Sequence, residues 1–329
     1  MAVIWFNTAP ALSGGPSVWV YKTANELRRR GHKVIFDDPK KSDVAVCVIS
    51  VGKTIRKIDR SKTKIILRVD GVFNAEYNKL FNRPVRPDMV ALHKDLEINI
   101  PRVDFVVFQS YFSKERINEE IVTRQDNNWA VINNGVDVNL FKPAPKNDKT
   151  ITLFHIGNIR NGYIMESLIG VYSELLKRGH KIKLTIAGGM DAECSKIYNQ
   201  HKGDKNISYL GSVPNTAAAK LFSLGDIYLG PRMGSSNDNV ISEALACGLP
   251  VIVPQWSGNA ELITDGSEGI IVDSGGHWNY GPDYDSKLAD GVERILPNLD
   301  DFKTRARKHA VANLTVWAMT DKYLKAMGL

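Results

Sequence analysis

The feature that most restricts the fold of this 329-residue chain is an alternation, sustained from end to end, of short β-branched runs with helical patterns. Strands are expected at residues 3–6, 33–36, 44–49, 64–69, 105–108 and 130–132. After the stretch Pro143-Ala144-Pro145-Lys146-Asn147-Asp148 the alternation restarts at 151–156, 181–187, 207–210, 227–230, 251–253 and 269–272. Continuous apolar strands separated by helices imply parallel sheets covered on both faces. The Pro/Lys/Asn/Asp stretch then reads as a hinge between two doubly wound domains, residues 1–145 and 146–310, facing across a cleft. Residues 311–329 read as a C-terminal helix packing back toward the first domain. In such sheets ligands lie beyond the carboxyl ends of the strands, so functional residues are sought there.

The two halves share a phrase, Leu27-Arg28-Arg29-Arg30-Gly31-His32-Lys33-Val34 and Leu175-Leu176-Lys177-Arg178-Gly179-His180-Lys181-Ile182. Each reads as a helix end with basic residues at the negative pole, a glycine stop and a new strand. His32 and His180 are accordingly turn residues, and the repeat shows only that the halves are built alike.

Composition narrows the class. With 43% hydrophobic and 24% charged residues the chain reads as globular. No window approaches ~20 uninterrupted apolar residues, and the start turns polar too soon for a secretory signal. Cys47, Cys194 and Cys247 are far apart and match no metal or redox spacing, so they read as small buried thiols. The expected location is cytoplasmic, with peripheral contact at the inner membrane face as an alternative.

The net charge of +7 is uneven: residues 1–145 hold 23 Lys+Arg against 16 Asp+Glu, and residues 146–329 hold 20 of each. Lys53, Arg56, Lys57, Arg60, Lys62, Lys64 and Arg68 face Asp59 alone within residues 53–68. This is either a solvated face or a meeting place for an anionic partner: a glycan, a lipid headgroup or nucleic acid.

Several turns carry residues suited to chemistry. Gly14-Gly15-Pro16 leads from the first strand into a helix expected near residues 16–30, where glycine backbone and unpaired N–H groups form an anion site in principle. A tight turn without a ligand is the alternative, since neither the dinucleotide fingerprint nor a P-loop is present. In the second half, Gly157-Asn158-Ile159-Arg160-Asn161-Gly162, Gly188-Gly189 and Gly211-Ser212-Val213-Pro214 follow strands. Gly230-Pro231-Arg232 leads into Ser235 and a helix expected near Asn237. On that helix Asn239 and Glu243 share a stripe, and Glu243 is expected to flank a packed face of Val240, Ile241, Ala244 and Leu245.

The ordered set Asn134-Gly135-Val136-Asp137, Phe141-Lys142-Pro143, Gly211-Ser212-Val213-Pro214, Asp226 with Pro231, and Glu243-Ala244-Leu245-Ala246-Cys247-Gly248-Leu249-Pro250-Val251 resembles family-four retaining glycosyltransferases (glycosyl transferases group 1) of the GT-B fold. Gly258-Asn259-Ala260-Glu261-Leu262-Ile263 and Trp317 extend the likeness. The resemblance implies an enzyme moving a hexose or pentose from a nucleotide-diphosphate donor, held by the second domain, to a hydroxyl acceptor held by the first. It also implies that Glu243 takes the ribose hydroxyls and the Ser212-Val213 backbone the base edge. A carboxylate capping a loop or pairing with Lys220 is the alternative for Glu243.

The family usually offers an Arg, then a Lys before a glycine, to the diphosphate. Here those places are Asn158 and Asn161, leaving Arg160 and Arg232 as substitutes, or else as surface cations. Eight residues before Glu243, where the family keeps an acid at the donor sugar, stands Ser235; Asp238 is the nearest carboxylate. Asp70, after the fourth strand, is the acceptor-side candidate for handling a proton, though an Asp before Gly is also ordinary turn chemistry. Ser110 is a weaker lining candidate, and His93 reads as surface. Asp37-Asp38 lies beside a proline and is not taken for a metal motif. No metal and no cofactor beyond the donor itself are expected. The alternatives are a binding subunit that has lost its chemistry and a transferase acting on modified nucleic acid.

Overall fold

The computed structural model describes all residues except 13, 72–74, 81–83, 85, 147 and 214, and only the backbone of 54, 55, 75–77, 215 and 216. Ser13, Asn147 and Pro214, expected in the glycine turn, the hinge and a helix start, lie outside the described residues. The chain divides into two compact units, Met1–Gly135 with Val316–Leu329, and Val136–Thr315.

The first unit runs β1 (Val3–Phe6), α1 (Gly15–Arg29), β2 (Lys33–Ile35), β3 (Val44–Val48), β4 (Lys64–Val69), α2 (Ala75–Leu80), α3 (Pro87–Asn99), β5 (Phe105–Phe108), α4 (Tyr111–Glu120) and β6 (Trp129–Val131). Its strands pair in parallel in the order β2-β1-β3-β4-β5-β6. Side chains alternate across a strand, and the two faces bury different sets. Ile4, Phe6, Val44, Val46 and Ile66 pack with Trp19, Val20 and Leu27 of α1. Trp5, Ala45, Cys47, Ile65 and Leu67 pack with Leu96 of α3 and Ile117 of α4.

The second unit runs β7 (Ile151–Ile156), α5 (Gly162–Lys177), β8 (Ile182–Ala187), α6 (Ala192–Asn199), β9 (Ile207–Tyr209), α7 (Asn215–Leu221), β10 (Ile227–Leu229), α8 (Asn239–Ala246), β11 (Val251–Pro254), β12 (Gly269–Val272), α9 (Pro282–Ile295) and α10 (Leu299–Asn313). Its parallel sheet has the order β12-β11-β10-β7-β8-β9. The chain winds outward from β7 to β9 and then returns to place β10 on the other side of β7. The twelve expected strands are thus all present, with some ends shifted by one residue.

Residues 136–145, assigned by the hinge to the first domain, belong to the second unit. Val136 N donates to Leu314 O at 2.8 Å, and Phe141 meets Phe222 edge-on at 5.9 Å. The last helix, α11 (Val316–Met327), belongs to the first unit. Its Tyr323 ring lies 5.0 Å from Trp19, Trp19 Nε1 donates to Met319 Sδ at 3.2 Å, and Arg30 donates to Trp317 O at 2.9 Å. These buried aromatic rings with polar handles anchor the terminus more firmly than helix propensity would.

Candidate functional site

The order of the second sheet reverses between β7 and β10, and the loops after β7, β8 and β9 meet at its carboxyl edge. Gly188, after β8, has φ +113°, and a Cβ on it would lie 2.0 Å from Gly157 O, after β7. Its N–H donates to Gly211 O, after β9, at 2.7 Å. Three loops therefore meet backbone to backbone, which only glycine permits.

Arg160 is exposed on the loop entering α5. Asn158 is exposed as well, and its Oδ1 accepts from Gly189 N at 3.1 Å, latching this loop to the next. Asn161 occupies the N-cap of α5 without a capping bond and donates to Tyr163 Oη at 3.0 Å. Glu193 accepts from Gly162 N at 3.4 Å, so part of that helix's positive end is already answered by a carboxylate. Ser212 is exposed and Val213 half-buried beyond β9.

The loop between β10 and α8 is the most constrained. Ser235 is 2% exposed; its carbonyl accepts from Gly258 N at 2.7 Å and from Ser257 Oγ at 3.3 Å. Its hydroxyl and the Asn239 Oδ1 are buried without a hydrogen-bond partner among the described residues. Helix α8 starts at Asn239, two residues later than expected, with Asp238 at the N-cap. Asn259 holds Asp238 from both sides, accepting from its N–H at 2.8 Å and donating to its carboxylate at 3.0 Å. Arg232, 54% exposed, lies 3.9 Å from the same carboxylate.

Glu243 does not flank the buried side of α8; it belongs to it. The residue is 5% exposed, within a run from Ile241 to Ala246 that is buried on every face, whereas Val240 is only half-buried. From Ile241 onward the helix is buried all round, so the amphipathic stripe expected of a surface helix does not apply there. Its charge is felt nearby: the Cys247 thiol is pushed up to about 12, first by burial and then by Glu243.

One residue here escaped the sequence reading. His155, in β7, is buried, stacks on Tyr228 at 5.7 Å, and places Nδ1 2.8 Å from Leu229 O in β10. A carbonyl only accepts, so Nδ1 carries the proton and Nε2 keeps its lone pair in the neutral ring. Burial pushes its pKa down; the Leu229 carbonyl and Asp238 oppose that, and Arg232 adds to it. The histidine lies inside an apolar strand run, which is why nothing in the sequence marked it.

In the first unit, Gly14 caps α1, which runs from Gly15 rather than residue 16, and both glycines are exposed. Asp70, 24% exposed, is ion-paired with Arg68 and accepts from Gln109 Nε2 at 3.0 Å. Arg68 is buried, lies 4.4 Å over the Trp19 ring and donates to Asn134 at 3.0 Å. Asp70 is therefore the counter-ion of a buried guanidinium as well as a strand-end carboxylate. Ser110 is fully buried and caps α4, accepting from Ser113 N at 3.0 Å, so it is a capping residue and not a lining one. His93 is half-buried on α3, with its pKa lowered by burial. Asp38 caps the short turn Pro39–Lys41, and among the described residues no group of three His, Cys, Asp or Glu is placed to hold a metal ion. All three cysteines are buried and unpaired with one another. No helix among the described residues is long and apolar enough to cross a membrane.

Over 157 residues, 46% of this chain and 37% of the relative, the chain is 31% identical to an uncharacterized glycosyltransferase of Methanocaldococcus jannaschii. It spans less than half the length of the curated relatives it matches. Among solved structures it is similar to sucrose-phosphate synthase from Thermosynechococcus elongatus (TM-score 0.77, 14% identity, 98% of this chain and 97% of that one). It is also similar to Anabaena HepE in complex with UDP and glucose (TM-score 0.73, 13% identity, 99% of each chain). The fold class is therefore GT-B, built from two doubly wound units. Residues 150–298, which include Ser235 and Glu243 and the loops after β7, β8 and β9, match the family model described as Glycosyl transferases group 1.

Proposed function

We propose that the protein is a retaining glycosyltransferase of family four that transfers a sugar from a nucleotide-diphosphate donor to a hydroxyl acceptor without a metal. The observation that carries this reading is a buried carboxylate, Glu243, on the helix leaving the switch-point loop of the group 1 unit. A carboxylate there suits a pair of ribose hydroxyls, which it would take in charge-assisted bonds. The base edge goes to the Ser212-Val213 backbone. Arg160, Arg232, the α8 N-terminus and the Gly14-Gly15 backbone serve the diphosphate, and the unpaired Ser235 hydroxyl and Asn239 carbonyl face the sugar. That the similar HepE was crystallised with UDP and glucose supports the donor class.

In the reaction the bond from the anomeric carbon to the diphosphate oxygen breaks and the acceptor oxygen bonds to that carbon on the same face. The acceptor proton passes to the departing diphosphate, whose growing charge the cations and backbone donors stabilise. Asp70 is assigned to the acceptor hydroxyl, with Arg68 fixing its orientation. Of the basic stretch 53–68, Arg68 is buried and Lys64 donates to Ala326 O at 2.9 Å; the remaining cations are assigned to an anionic acceptor, whether glycan, lipid headgroup or nucleic acid, and the location to the cytoplasm.

Calorimetric titration with nucleoside diphosphates, followed by transfer and hydrolysis assays with and without EDTA, tests the reading. Activity abolished by EDTA would remove metal independence, and absence of nucleotide binding would remove the donor site. A second reading, a binding subunit without chemistry, is favoured by Ser235 and by Asn158 being latched to Gly189. Tight nucleotide binding with neither transfer nor hydrolysis on any donor selects it.

A further inference from the structure

Beyond the expected donor contacts, the carboxyl edge of the second sheet carries an aromatic group that the proposed roles do not use. Trp256 follows β11, and residues 277–280 connect β12 to α9. The His277 ring stacks on Trp256 at 4.3 Å and 23°, and Trp278 meets the same indole edge-on at 4.6 Å. His277 is exposed and Trp256 half-buried, so the stack opens to solvent.

This group is built onto the loop that holds Ser235. Trp256 O accepts from Gly234 N at 2.9 Å. The Trp278 ring lies against Gly234, where a Cβ would come within 2.3 Å of it. Tyr280 Oη accepts from Met233 N at 2.8 Å, and Tyr284 donates to Pro231 O at 2.9 Å. Trp278 itself has φ +56°, a conformation costly for a bulky side chain. Such strain persists where surroundings over-determine it, and it clusters at binding sites.

We infer that Trp256 and His277 form a stacking platform for a pyranose ring beside the reaction centre. This rests on the proposed placement of the nucleotide. The base edge is assigned beyond β9, and β9 and β11 are separated by four strand spacings, roughly 19 Å. The platform beyond β11 and β12 therefore lies at the glycosyl end of a bound nucleotide sugar. An exposed imidazole stacked on an indole offers a flat aromatic face to the C–H side of a sugar while leaving its hydroxyls to solvent. The ring belongs either to the donor sugar or to an acceptor saccharide, and the experiment separates them.

Calorimetry would use UDP, UDP-glucose and a set of free methyl pyranosides as probes on wild type, Trp256→Ala, His277→Ala and Trp256→Phe. The platform predicts that both alanine variants bind a saccharide-bearing probe about five- to tenfold more weakly, that UDP affinity is unchanged, and that Trp256→Phe recovers wild-type binding. Loss confined to UDP-glucose assigns the donor sugar; loss of a free pyranoside assigns the acceptor. Wild-type affinities in both alanine variants, or absence of binding by any saccharide-bearing probe, would overturn the inference, as would an equal loss for UDP. Failure of UDP to bind wild type refutes the nucleotide reading instead, and the pyranoside titrations then still decide for or against the platform. His277→Ala, at an exposed position, guards against a folding defect in Trp256→Ala.

Discussion

Replacing Glu243 by Gln separates a functional carboxylate from a structural one, because glutamine keeps the shape and removes only the charge. At 5% exposure the side chain is withdrawn from water, and a buried charge is no more stabilising to a fold than a neutral group of the same shape. In the free protein Glu243→Gln should therefore leave unfolding stability unchanged or raise it by about 1 kcal/mol. Nucleotide binding should move the other way. A bond to a charged acceptor contributes about 1.5–3 kcal/mol, and a neutral one about 0.5–1.5. Weakening two ribose bonds accordingly costs about 2–3 kcal/mol, or roughly 30- to 150-fold in affinity. Calorimetry with a nucleoside diphosphate and urea unfolding of the same preparation give both numbers. A variant destabilised by more than about 1 kcal/mol that binds nucleotide like wild type would falsify the ribose assignment and make Glu243 a structural anchor.

Three other perturbations test the geometry. Gly188→Ala forces a side chain into a positive-φ backbone and onto Gly157 O, so it should cost about 3 kcal/mol and weaken nucleotide binding; an unchanged thermal midpoint would refute the three-loop contact. Asp226 is buried and accepts from Thr152 N at 2.9 Å, from Lys303 at 2.7 Å and from Lys146. Removing it in Asp226→Ala strands these donors and should cost about 3–5 kcal/mol in urea unfolding, and a loss below about 1 kcal/mol would show the cluster to be solvated.

Asp285 is pushed up to about 6 by burial, with the Ser167 hydroxyl opposing and Glu166 adding. One of its oxygens has no partner among the described residues. Because the folded state binds this proton more tightly than the unfolded one, stability from this group is complete below the unfolded value and is lost as pH rises to about 6. Asp285→Asn should abolish that slope and stabilise the protein at pH 7.5 by about 1–2 kcal/mol, allowing for partial exposure. Unfolding curves at pH 5 and pH 7.5 that show the same difference between variant and wild type would refute it.

The strands were legible because a β-branched run between helical patterns reports burial on two faces, a property of local sequence. The Gly157, Gly188 and Gly211 turns were legible as glycines after strands, but what each glycine touches was not. The second-domain boundary was misplaced by the proline-rich stretch, since Val136 and Phe141 gain partners at Leu314 and Phe222, more than eighty residues away. Glu243 was recognised from its motif and misjudged in burial, because helical periodicity assumes a solvent-facing stripe and α8 is buried all round from Ile241 to Ala246. Ser110 drew attention by its place after a strand, and the capping bond that occupies it is geometric. The aromatics of residues 277–280 stood in the sequence beside His277 with no visible partner, since Trp256 and Gly234 reach them only through the fold.

What the sequence by itself determined is the class of architecture, and with it where a site is to be sought: apolar periodicity commits the chain to two parallel sheets, and such sheets put their ligands past the strand ends. What only the tertiary structure decided is which polar groups in those loops are already used. Asp70 is tied to Arg68, Asn158 to Gly189 and Asp238 to Asn259, while the Ser235 hydroxyl is left without a partner among the described residues. The reason is physical: periodicity is encoded residue by residue, whereas the satisfaction of a hydrogen bond depends on atoms brought together from distant parts of the chain.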